Sequence, residues 1–302
     1  MFRKWTSLEN HYREKYINDV LAVYPQLAGE TFVITEKIHG SNFHWHFSPN
    51  ELVRAASRNS YLDTSGSFQG AVIQELLEAH WDLLDKLQDL CNYEGVDIRL
   101  YGELFGNGVQ KGVYYSDNKR LLYFGFVFDD ELQPFYTLEQ YVPTEYLVPV
   151  LQIADSLQEA LNFDTEFNSV IAGVDDNICE GVVISPYYKT YLFYDSPFYI
   201  KKKNESFSEK SKAKKEIVSD EVVARMKAEF DLYVNENRLQ NVFSKYGAIS
   251  SPKEIGQYIK LLLEDAKEDF LKDNDVSNLD AGQLKQVYNI GSKIANMLKA
   301  YM

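Results

Sequence analysis

The chain has 302 residues, of which 45% are hydrophobic, and it contains 22 Tyr and 18 Phe. This composition predicts a packed core with room for one large and one small domain, and it excludes a disordered chain. The first residues lack the apolar segment of a secretion signal, and no apolar run reaches the length of a membrane span, so we predict a cytoplasmic protein.

Charge is distributed unevenly along the chain. The formal net charge is −14, which by itself argues against a nucleic-acid partner. Residues 201–215, however, hold seven Lys and two Glu, a local net charge of +5 that leaves −19 for the remainder. This segregation predicts a basic site on an acidic body, although a solvated lysine-rich linker explains the charge equally well.

The first part of the chain predicts a sheet accompanied by helices. Residues 1–30 have a mostly helical pattern with a helix start at Ser7–Asn10. Residues 31–60 alternate apolar and polar side chains in two strands about a turn at Pro49–Asn50. Residues 70–92 carry apolar residues at helical spacing and predict one amphipathic helix.

Strands dominate the middle of the chain. They are predicted at residues 98–104 and 121–128, then, after a short helix at 155–162, at Gly181–Ile184 and Phe198–Lys201. Short strands separated by turns are typical of antiparallel sheets.

The last third of the chain is helical in pattern. A cap at Ser219–Asp220 precedes apolar residues at helical intervals over Val222–Phe230, and the last helix is predicted at Leu284–Tyr301. We therefore predict an α+β fold in which a domain of antiparallel sheets flanked by helices, residues 1–216, is followed by a small all-α domain, residues 217–302.

A lysine interrupts the strand pattern early in the chain. Lys37 follows the apolar run Thr31–Ile34 and is itself followed by His39, Gly40 and Asn42. Lysine is rarely buried without a function, so this segment indicates a site. The alternative is an edge strand that ends in a surface turn, and the segment alone does not exclude it.

Lys37 stands in the first of five short segments whose order and spacing are more specific than any one of them. A Gly-Glu pair at a strand end, or a Lys-x-Lys after a strand, occurs by chance in many proteins, but the whole series does not. The segments are Lys37–Asn42, Ser57–Asn59, Tyr101–Gly106, Cys179–Ile184 and Ile200–Asn204.

The five segments resemble those of covalent nucleotidyltransferases, the polynucleotide ligases and capping enzymes, and the chain is most similar to the RNA ligase 2 family. Members of that family share stretches similar to Ser7–Tyr12, Glu36–Phe43, Gln110–Lys111 and Lys203–Lys210. The resemblance covers the whole N-terminal domain and extends to the C-terminal domain in size and helical character, which suggests a nucleic-acid-binding role for the latter.

The resemblance implies ATP-dependent RNA ligation. A lysine attacks ATP to form a lysyl-AMP, the AMP passes to an RNA 5′-phosphate, and a 3′-hydroxyl then displaces it. The implied cofactors are ATP and magnesium or manganese. The implied partner is RNA, as a nicked duplex or as broken ends, and neither a membrane nor a protein partner is indicated.

The resemblance also implies roles for individual residues. The implied catalytic residues are Lys37, His39, Asn42, Glu103, Glu180, Lys201 and Lys203. The implied nucleotide-binding residues are Glu36, Ile38, Gly40, Arg58, Glu103, Phe124, Lys201 and Lys203. Glu180 is the implied ligand of the metal ion.

These residue types suit phosphoryl transfer. An attacking lysine must be neutral, and since free lysine has a pKa of ~10.4, neutralising it at pH 7 costs roughly 4–5 kcal/mol. Positive charge from Lys201 and Lys203 would lower that pKa and bind phosphate. The fork of donors on Arg58 suits a phosphate, Glu103 suits a ribose hydroxyl or a metal ion, and Phe124 suits an adenine ring.

Structural interpretations compete with these roles. Glu103 and Glu180 each neighbour a glycine and fit ordinary turns, while Lys201 and Lys203 fit an exposed edge strand. Phe124 fits a core position. For the whole chain, the alternatives are a DNA ligase or capping enzyme, in which a small β-barrel usually follows, and a non-catalytic RNA-binding protein with the same fold.

Two further features complete the sequence predictions. Many members of the family carry an Asp after the Phe in the strand that contains Phe124, whereas this chain has Gly125, so the role of that Asp is lost or passes to Asp129 or Asp130. His44 and His46, two residues apart on one strand, predict polar groove or surface residues rather than metal ligands.

Overall fold

The structure is a computed structural model that describes residues 2–207, 222–277, 279 and 281–301. The chain divides into two compact units, Met1–Ser206 and Phe207–Met302. The boundary predicted near residue 216 and the cap at Ser219–Asp220 lie outside the described residues, as do the lysines of the basic run after Lys203. The boundary therefore stays a prediction, whereas the predicted α+β fold class is confirmed.

Two five-stranded sheets and two short hairpins form the strands described over residues 2–207. The strands are β1 (Glu9–Asn10), β2 (Phe32–Glu36), β3 (Ser41–Phe47), β4 (Arg54–Ser57), β5 (Ser67–Phe68), β6 (Ala71–Val72), β7 (Ile98–Phe105), β8 (Arg120–Phe128), β9 (Glu131–Gln133), β10 (Val150–Ala154), β11 (Gly181–Pro186), β12 (Leu192–Phe193), β13 (Ser196–Pro197) and β14 (Ile200–Lys203). The helices are α1 (Glu14–Val23), α2 (Ile73–Ala79), α3 (Trp81–Glu94), α4 (Phe135–Tyr141) and α5 (Leu157–Asn162).

The first sheet has the order β1-β14-β11-β2-β10 and brings three distant segments together at one end. β11 pairs antiparallel with both β2 and β14, so the end of β2 lies beside the start of β11 and the end of β14. Gly181 is opposite Lys203, and the backbone N–H of Lys37 donates to the carbonyl of Gly181 at 2.9 Å.

Side-chain alternation separates the two faces of this sheet. One face packs into a core with α1 and α5 through apolar residues at alternate positions, namely Phe32, Ile34, Val182, Ile184 and Ile200. Lys201 and Lys203 alternate with this set and so lie on the other face. The second sheet has the order β4-β3-β7-β8-β9, and in it Asn42 on β3 is opposite Glu103 on β7.

The helix start predicted at Ser7–Asn10 is wrong. Glu9–Asn10 form β1, which pairs parallel with β14, and α1 begins only at Glu14. The N–H of Glu9 donates to the carbonyl of Tyr199 at 3.0 Å, and that of His11 to Lys201 at 3.1 Å. The edge of β14 thus offers backbone hydrogen bonds that outweigh the local preference for a helix.

Two other predicted helices are each divided. Residues 70–92 form β6, α2 and α3, because the helix breaks at His80, whose ring packs against those of Tyr123 and Tyr146. The predicted helix Leu284–Tyr301 corresponds to two helices separated at residues 288–290. Tertiary packing decides where the helix ends in both places. His80 packs against two tyrosine rings, and Ile290, which lies between the two C-terminal helices, belongs to the core of its unit.

The C-terminal unit is helical in every regular element described after residue 221. Its helices are α6 (Val222–Leu232), α7 (Glu236–Tyr246), α8 (Ile255–Asp273), α9 (Ala281–Val287) and α10 (Gly291–Lys299). Buried Arg238 on α7 pairs with Asp265 at 2.6 Å and with Asp269 at 2.9 Å, so two of the acidic side chains of α8 are paired within the unit. In the described part of the chain, no helix has the length and apolar character needed to span a membrane.

Candidate active site

The centre of the site is the carboxylate of Glu180, which lies between two lysines. Lys37 Nζ is 2.6 Å from Glu180 Oε2, and Lys203 Nζ is 2.8 Å from Glu180 Oε1. The side chain of Glu180 is 1% exposed and that of Lys203 is 8%, whereas that of Lys37 is 20% exposed. The structure thus brings together three of the predicted residues and leaves the amine of Lys37 the most accessible of them.

His39 joins this centre from the segment after Lys37. Its Nδ1 lies 3.4 Å from Glu180 Oε2, the same oxygen that Lys37 contacts. Burial by itself would raise the pKa of Glu180, but the positive charges of Lys203 and Lys37 and the neighbouring His39 outweigh it and hold that pKa well below its usual range. Glu180 is therefore a fixed negative charge at neutral pH.

Glu103 and Asn42 lie side by side on the second sheet, next to the Lys37 segment. Burial raises the pKa of Glu103 to about 7, and the nearby charge of Lys37 opposes the rise. The N–H of Gly40 bonds to this carboxylate. A Cβ on Gly40 would lie 2.8 Å from Glu103 Cγ and would overlap the carbonyl of Leu104, so only glycine allows the two elements to approach this closely.

Glu36 and Lys37 point in different directions, as alternation predicts. The Glu36 carboxylate accepts a hydrogen bond from the backbone N–H of Val170 at 3.0 Å, away from the Lys37 amine. Burial raises the pKa of Glu36, although hydrogen bonds from Ser169 and Val170 oppose the rise. Glu36 and buried Ile38 therefore flank the site, with Glu36 bonded to the loop before β11.

Arg58 and Lys201 are two further cationic residues of the predicted site. Arg58 follows β4 and donates to the hydroxyl of Ser7 at 3.3 Å, and its charge acts on Glu103. Lys201 shares a face of β14 with Lys203, whereas Lys202 faces away and donates to the carbonyls of Leu161 and Phe163. Only the alternate lysines of the basic strand can serve this site.

Phe124 belongs to an aromatic cluster rather than to the group around Glu180. Its ring lies edge-on to that of Trp5, with centroids 5.1 Å apart, and Trp5 also contacts Tyr101 and Tyr199. Phe124 remains half-buried, so adenine stacking stays a prediction.

Gly125 is explained by Trp5. A Cβ at this position would overlap the Trp5 ring, so no larger residue fits while Trp5 occupies its place. Asp129 and Asp130 lie in the turn between β8 and β9, and Asp130 pairs with Arg99 at 2.7 Å. Asp130 is thus engaged by Arg99. The structure gives no support to the hypothesis that Asp129 or Asp130 takes over the role of the Asp that Gly125 replaces.

The two histidines of β3 are buried, contrary to the surface or groove placement predicted. His44 packs against Tyr101 with ring centroids 4.6 Å apart, and His46 lies 2.9 Å from Asp97 Oδ2. Burial, with the nearby charges of His46 and Arg99, lowers the pKa of His44 to about 3. Both therefore belong to the packing of the second sheet.

A metal ion fits this site only together with other ligands. In the described residues, no group of three or more His, Cys, Asp or Glu side chains could hold one. Glu180 offers one carboxylate and Glu103 a second beside it. Magnesium is commonly bound by one or two carboxylates with water and substrate phosphates, so the residues present fit a magnesium ion that arrives with a nucleotide.

Sequence patterns do not predict two residues that shape the site. Tyr115 and Asn177 lie in loops without periodicity, yet both are buried, and the hydroxyl of Tyr115 accepts a hydrogen bond from the backbone N–H of His39 at 2.8 Å. Their only sequence signal is proximity to the third and fourth segments.

Comparison with known proteins adds two matches to family models. The model described as RNA ligase matches residues 30–203, and the model described as T4 RNA ligase 2 C-terminal matches residues 202–299. Similar solved structures include two RNA ligase mutants from Naegleria gruberi, one with AMP and Mn and one with ATP and Mn, each with 16% identity and a TM-score of 0.50. Each comparison covers 68% of this chain and 57% of the Naegleria chain, so this chain shares its fold with a little over half of that protein.

Proposed function

The chain belongs to the RNA ligase family, and we propose that it joins RNA ends with ATP through a covalent lysyl-AMP formed on Lys37. The observation that supports this most strongly is the meeting of Lys37, Glu180 and Lys203, three residues from distant segments, at one end of the first sheet. An apolar residue would pack at this position better than a buried carboxylate between two lysines does, so the carboxylate indicates a function other than packing.

In the first step, Nζ of Lys37 attacks the α-phosphorus of ATP. A bond between nitrogen and phosphorus forms, the bond from the α-phosphorus to the bridging oxygen breaks, and pyrophosphate leaves. The attacking amine must first lose a proton, which we assign to solvent water. Glu180 is within hydrogen-bonding distance, but its low pKa makes it a weak base. Its proposed role is to orient the amine, while the charge of Lys203 is available to the phosphates.

The nucleotide would be held by charges that already surround this centre. Lys201, Lys203 and Arg58 carry positive charge for the phosphates, and Glu103 and Asn42 offer polar groups to the ribose. Magnesium held by Glu180 with the phosphates would supply further positive charge where negative charge develops. The Naegleria gruberi structures with ATP or AMP and Mn support a nucleotide and a divalent cation for this chain.

The two later steps transfer the same adenylyl group and then release it. An oxygen of an RNA 5′-phosphate attacks the phosphorus of lysyl-AMP, and the bond to Lys37 breaks. An RNA 3′-hydroxyl then attacks the 5′-phosphorus, a phosphodiester forms and AMP leaves. All three steps are phosphoryl transfers, in which positioning and charge neutralisation carry catalysis. We propose a nick in duplex RNA as the substrate, with the C-terminal unit contributing to its binding.

Incubation with ATP labelled at the α-phosphate, followed by a denaturing gel, tests the proposal. The wild-type protein should retain label with magnesium present and lose it when pyrophosphate is added, which reverses the first step. The labelled protein should then seal a duplex RNA nick with 3′-hydroxyl and 5′-phosphate ends. Absence of label at any pH and metal concentration, with nucleic acid still bound, would favour the non-catalytic alternative.

A further inference from the structure

A ring of hydrogen bonds encloses the segment that carries Lys37. It runs through two loops, residues 106–119 between β7 and β8 and residues 163–180 between α5 and β11. Neither loop forms a helix or a named strand, so isolated backbone hydrogen bonds and side-chain contacts set its shape. The bonds that do so lead from the residue before Lys37 to the second residue after it.

The ring begins at Glu36. Its carboxylate accepts a hydrogen bond from the backbone N–H of Val170 at 3.0 Å, and the neighbouring Ser169 donates its backbone N–H to the carbonyl of Asn177 at 2.8 Å. The first bond fixes the second loop to the end of β2, and the second bond joins two parts of that loop. A displacement of this loop would therefore reach the backbone next to Lys37.

Asn177 joins the second loop to the first. Its Oδ1 accepts from the backbone N–H of Tyr114 at 2.8 Å, and its Nδ2 donates to the carbonyl of Tyr114 at 2.6 Å. One amide thus satisfies both backbone groups of one residue, as a neighbouring strand would. Because Asn177 is buried, its loss would leave polar groups that water reaches poorly.

Tyr115 closes the ring. Its hydroxyl accepts the hydrogen bond from the backbone N–H of His39 at 2.8 Å, and its ring packs edge-on against Phe105 with centroids 5.2 Å apart. His39 in turn lies 3.4 Å from the Glu180 oxygen that binds Lys37. The position of the Tyr115 hydroxyl is therefore transmitted to the centre of the site through a single residue.

We propose that Tyr115 and Asn177 are positioning residues that hold His39, and with it the Lys37–Glu180 pair, in the geometry required for attack on ATP. The inference rests on the function proposed above. Both act through backbone groups of the loops and of His39. A misplacement of about 1 Å at reacting groups can cost about 10²-fold in rate, so the loss of one such bond is measurable.

Replacement of one hydroxyl tests the proposal with little change in packing. In Tyr115→Phe, the kcat of adduct formation should fall at least tenfold, about 1.4 kcal/mol in activation free energy, while the KM for ATP changes little. Tyr114→Phe is the matched control, since Asn177 binds the backbone of Tyr114, whereas the exposed Tyr114 hydroxyl bonds to Asp117, and the kcat of this variant should equal that of the wild type. Equal kcat values for both variants would overturn the proposal.

A second variant tests whether the two residues act along one route. Asn177→Ala should also lower kcat, and the double variant with Tyr115→Phe should lose less than the product of the two single effects, because either change releases His39. Losses that multiply, or that follow thermal stability alone, would mean that the two residues act separately or only support the fold.

Amide hydrogen exchange separates this inference from the proposed function, because it needs no ATP. In the full-length free protein, Tyr115→Phe should speed exchange at the N–H of His39, and Tyr114→Phe should not. Faster exchange with an unchanged rate of adduct formation would refute positioning and leave the ligase function intact. If the wild type forms no adduct, the proposed function fails, and the positioning role fails with it.

Discussion

Lys37 Nζ lies 2.6 Å from Glu180 Oε2, so the candidate nucleophile is held as one half of an ion pair. A protonated amine has no free electron pair and cannot attack phosphorus. Lys203 shares the same carboxylate and weakens its hold on Lys37. In this resting site, Glu180 orients the nucleophile, which must be released from the carboxylate before it reacts.

Lys203→Ala should lower the rates of adduct formation and of sealing by about 10²-fold or more, the cost of removing one preorganised charge. Lys202→Ala is the matched control on the same strand. Lys202 donates to the carbonyls of Leu161 and Phe163 on the other face, so its loss should lower the melting temperature more than the activity. Reaction rates measured together with melting curves distinguish a loss of catalysis from a loss of stability. Normal sealing by Lys203→Ala would remove Lys203 from the site.

Glu180→Ala should abolish sealing while the protein still folds. The substitution leaves Lys37 and Lys203 close together without their shared negative charge, and it removes the proposed magnesium ligand. We expect adduct formation to fall as well, and extra magnesium not to restore it. Sealing assays across a magnesium titration check this, and a wild-type rate at any concentration would contradict the role of Glu180.

Gly125→Asp should destabilise the N-terminal unit by about 1–3 kcal/mol, because the added Cβ overlaps the Trp5 ring. All three tryptophans, Trp5, Trp45 and Trp81, lie in this unit, so their fluorescence during urea unfolding reports on it. Combination with Trp5→Ala should cancel part of the loss by making room. If Gly125→Asp alone is as stable as the wild type, Trp5 is not what excludes a side chain here.

Stability should fall as pH decreases below about 6.5, and His44 should account for part of the fall. The pKa of His44 is lowered to about 3 in the folded protein, so between these values only the unfolded chain binds a proton there. One such proton reduces the free energy of unfolding by about 1.4 kcal/mol per pH unit.

Replacement of His44 by Phe isolates this contribution, because it keeps an aromatic ring against Tyr101 and cannot take up a proton. Urea unfolding at pH 7.0 and pH 5.5, followed by tryptophan fluorescence, should show a weaker pH dependence in His44→Phe than in the wild type. Equal slopes for the two proteins would contradict the assignment.

Residues 1–216 alone should still form the adduct but seal nicks poorly. The contacts among Lys37, His39, Glu180 and Lys203 all arise within the unit Met1–Ser206, so the first step needs nothing beyond it. Adduct yield and sealing at low salt measure the two abilities separately, since phosphate contacts weaken as salt rises. Loss of the adduct on truncation would contradict this division, and equal sealing would remove the C-terminal unit from substrate binding.

The centre of the site follows in part from local patterns and in part from the pairing of distant strands, which those patterns do not predict. Alternation along β2 predicts that Glu36 and Lys37 diverge, and antiparallel pairing of β2, β11 and β14 brings Lys37, Glu180 and Lys203 to one end. The order of the motifs identifies these residues, and the pairing of the short strands brings them together.

Long-range packing escapes such patterns. The pairing of Glu9–Asn10 with β14 depends on a strand edge nearly two hundred residues away. The need for glycine at position 125 depends on the approach of Trp5, which lies in a segment without regular structure. Tyr115 and Asn177 act through backbone groups, for which no residue spacing is characteristic. What remained unpredicted is therefore the set of contacts made by loops and chain ends.

Mass spectrometric mapping of the covalent adduct tests the central claim most directly. The full-length protein is incubated with ATP and magnesium, digested and searched for a peptide that carries one adenylyl group, with Lys37→Ala treated in parallel. We predict a single modified site at Lys37 and no adduct in the variant. An adenylyl group on another lysine, or an adduct that persists in Lys37→Ala at the wild-type level, would contradict the account.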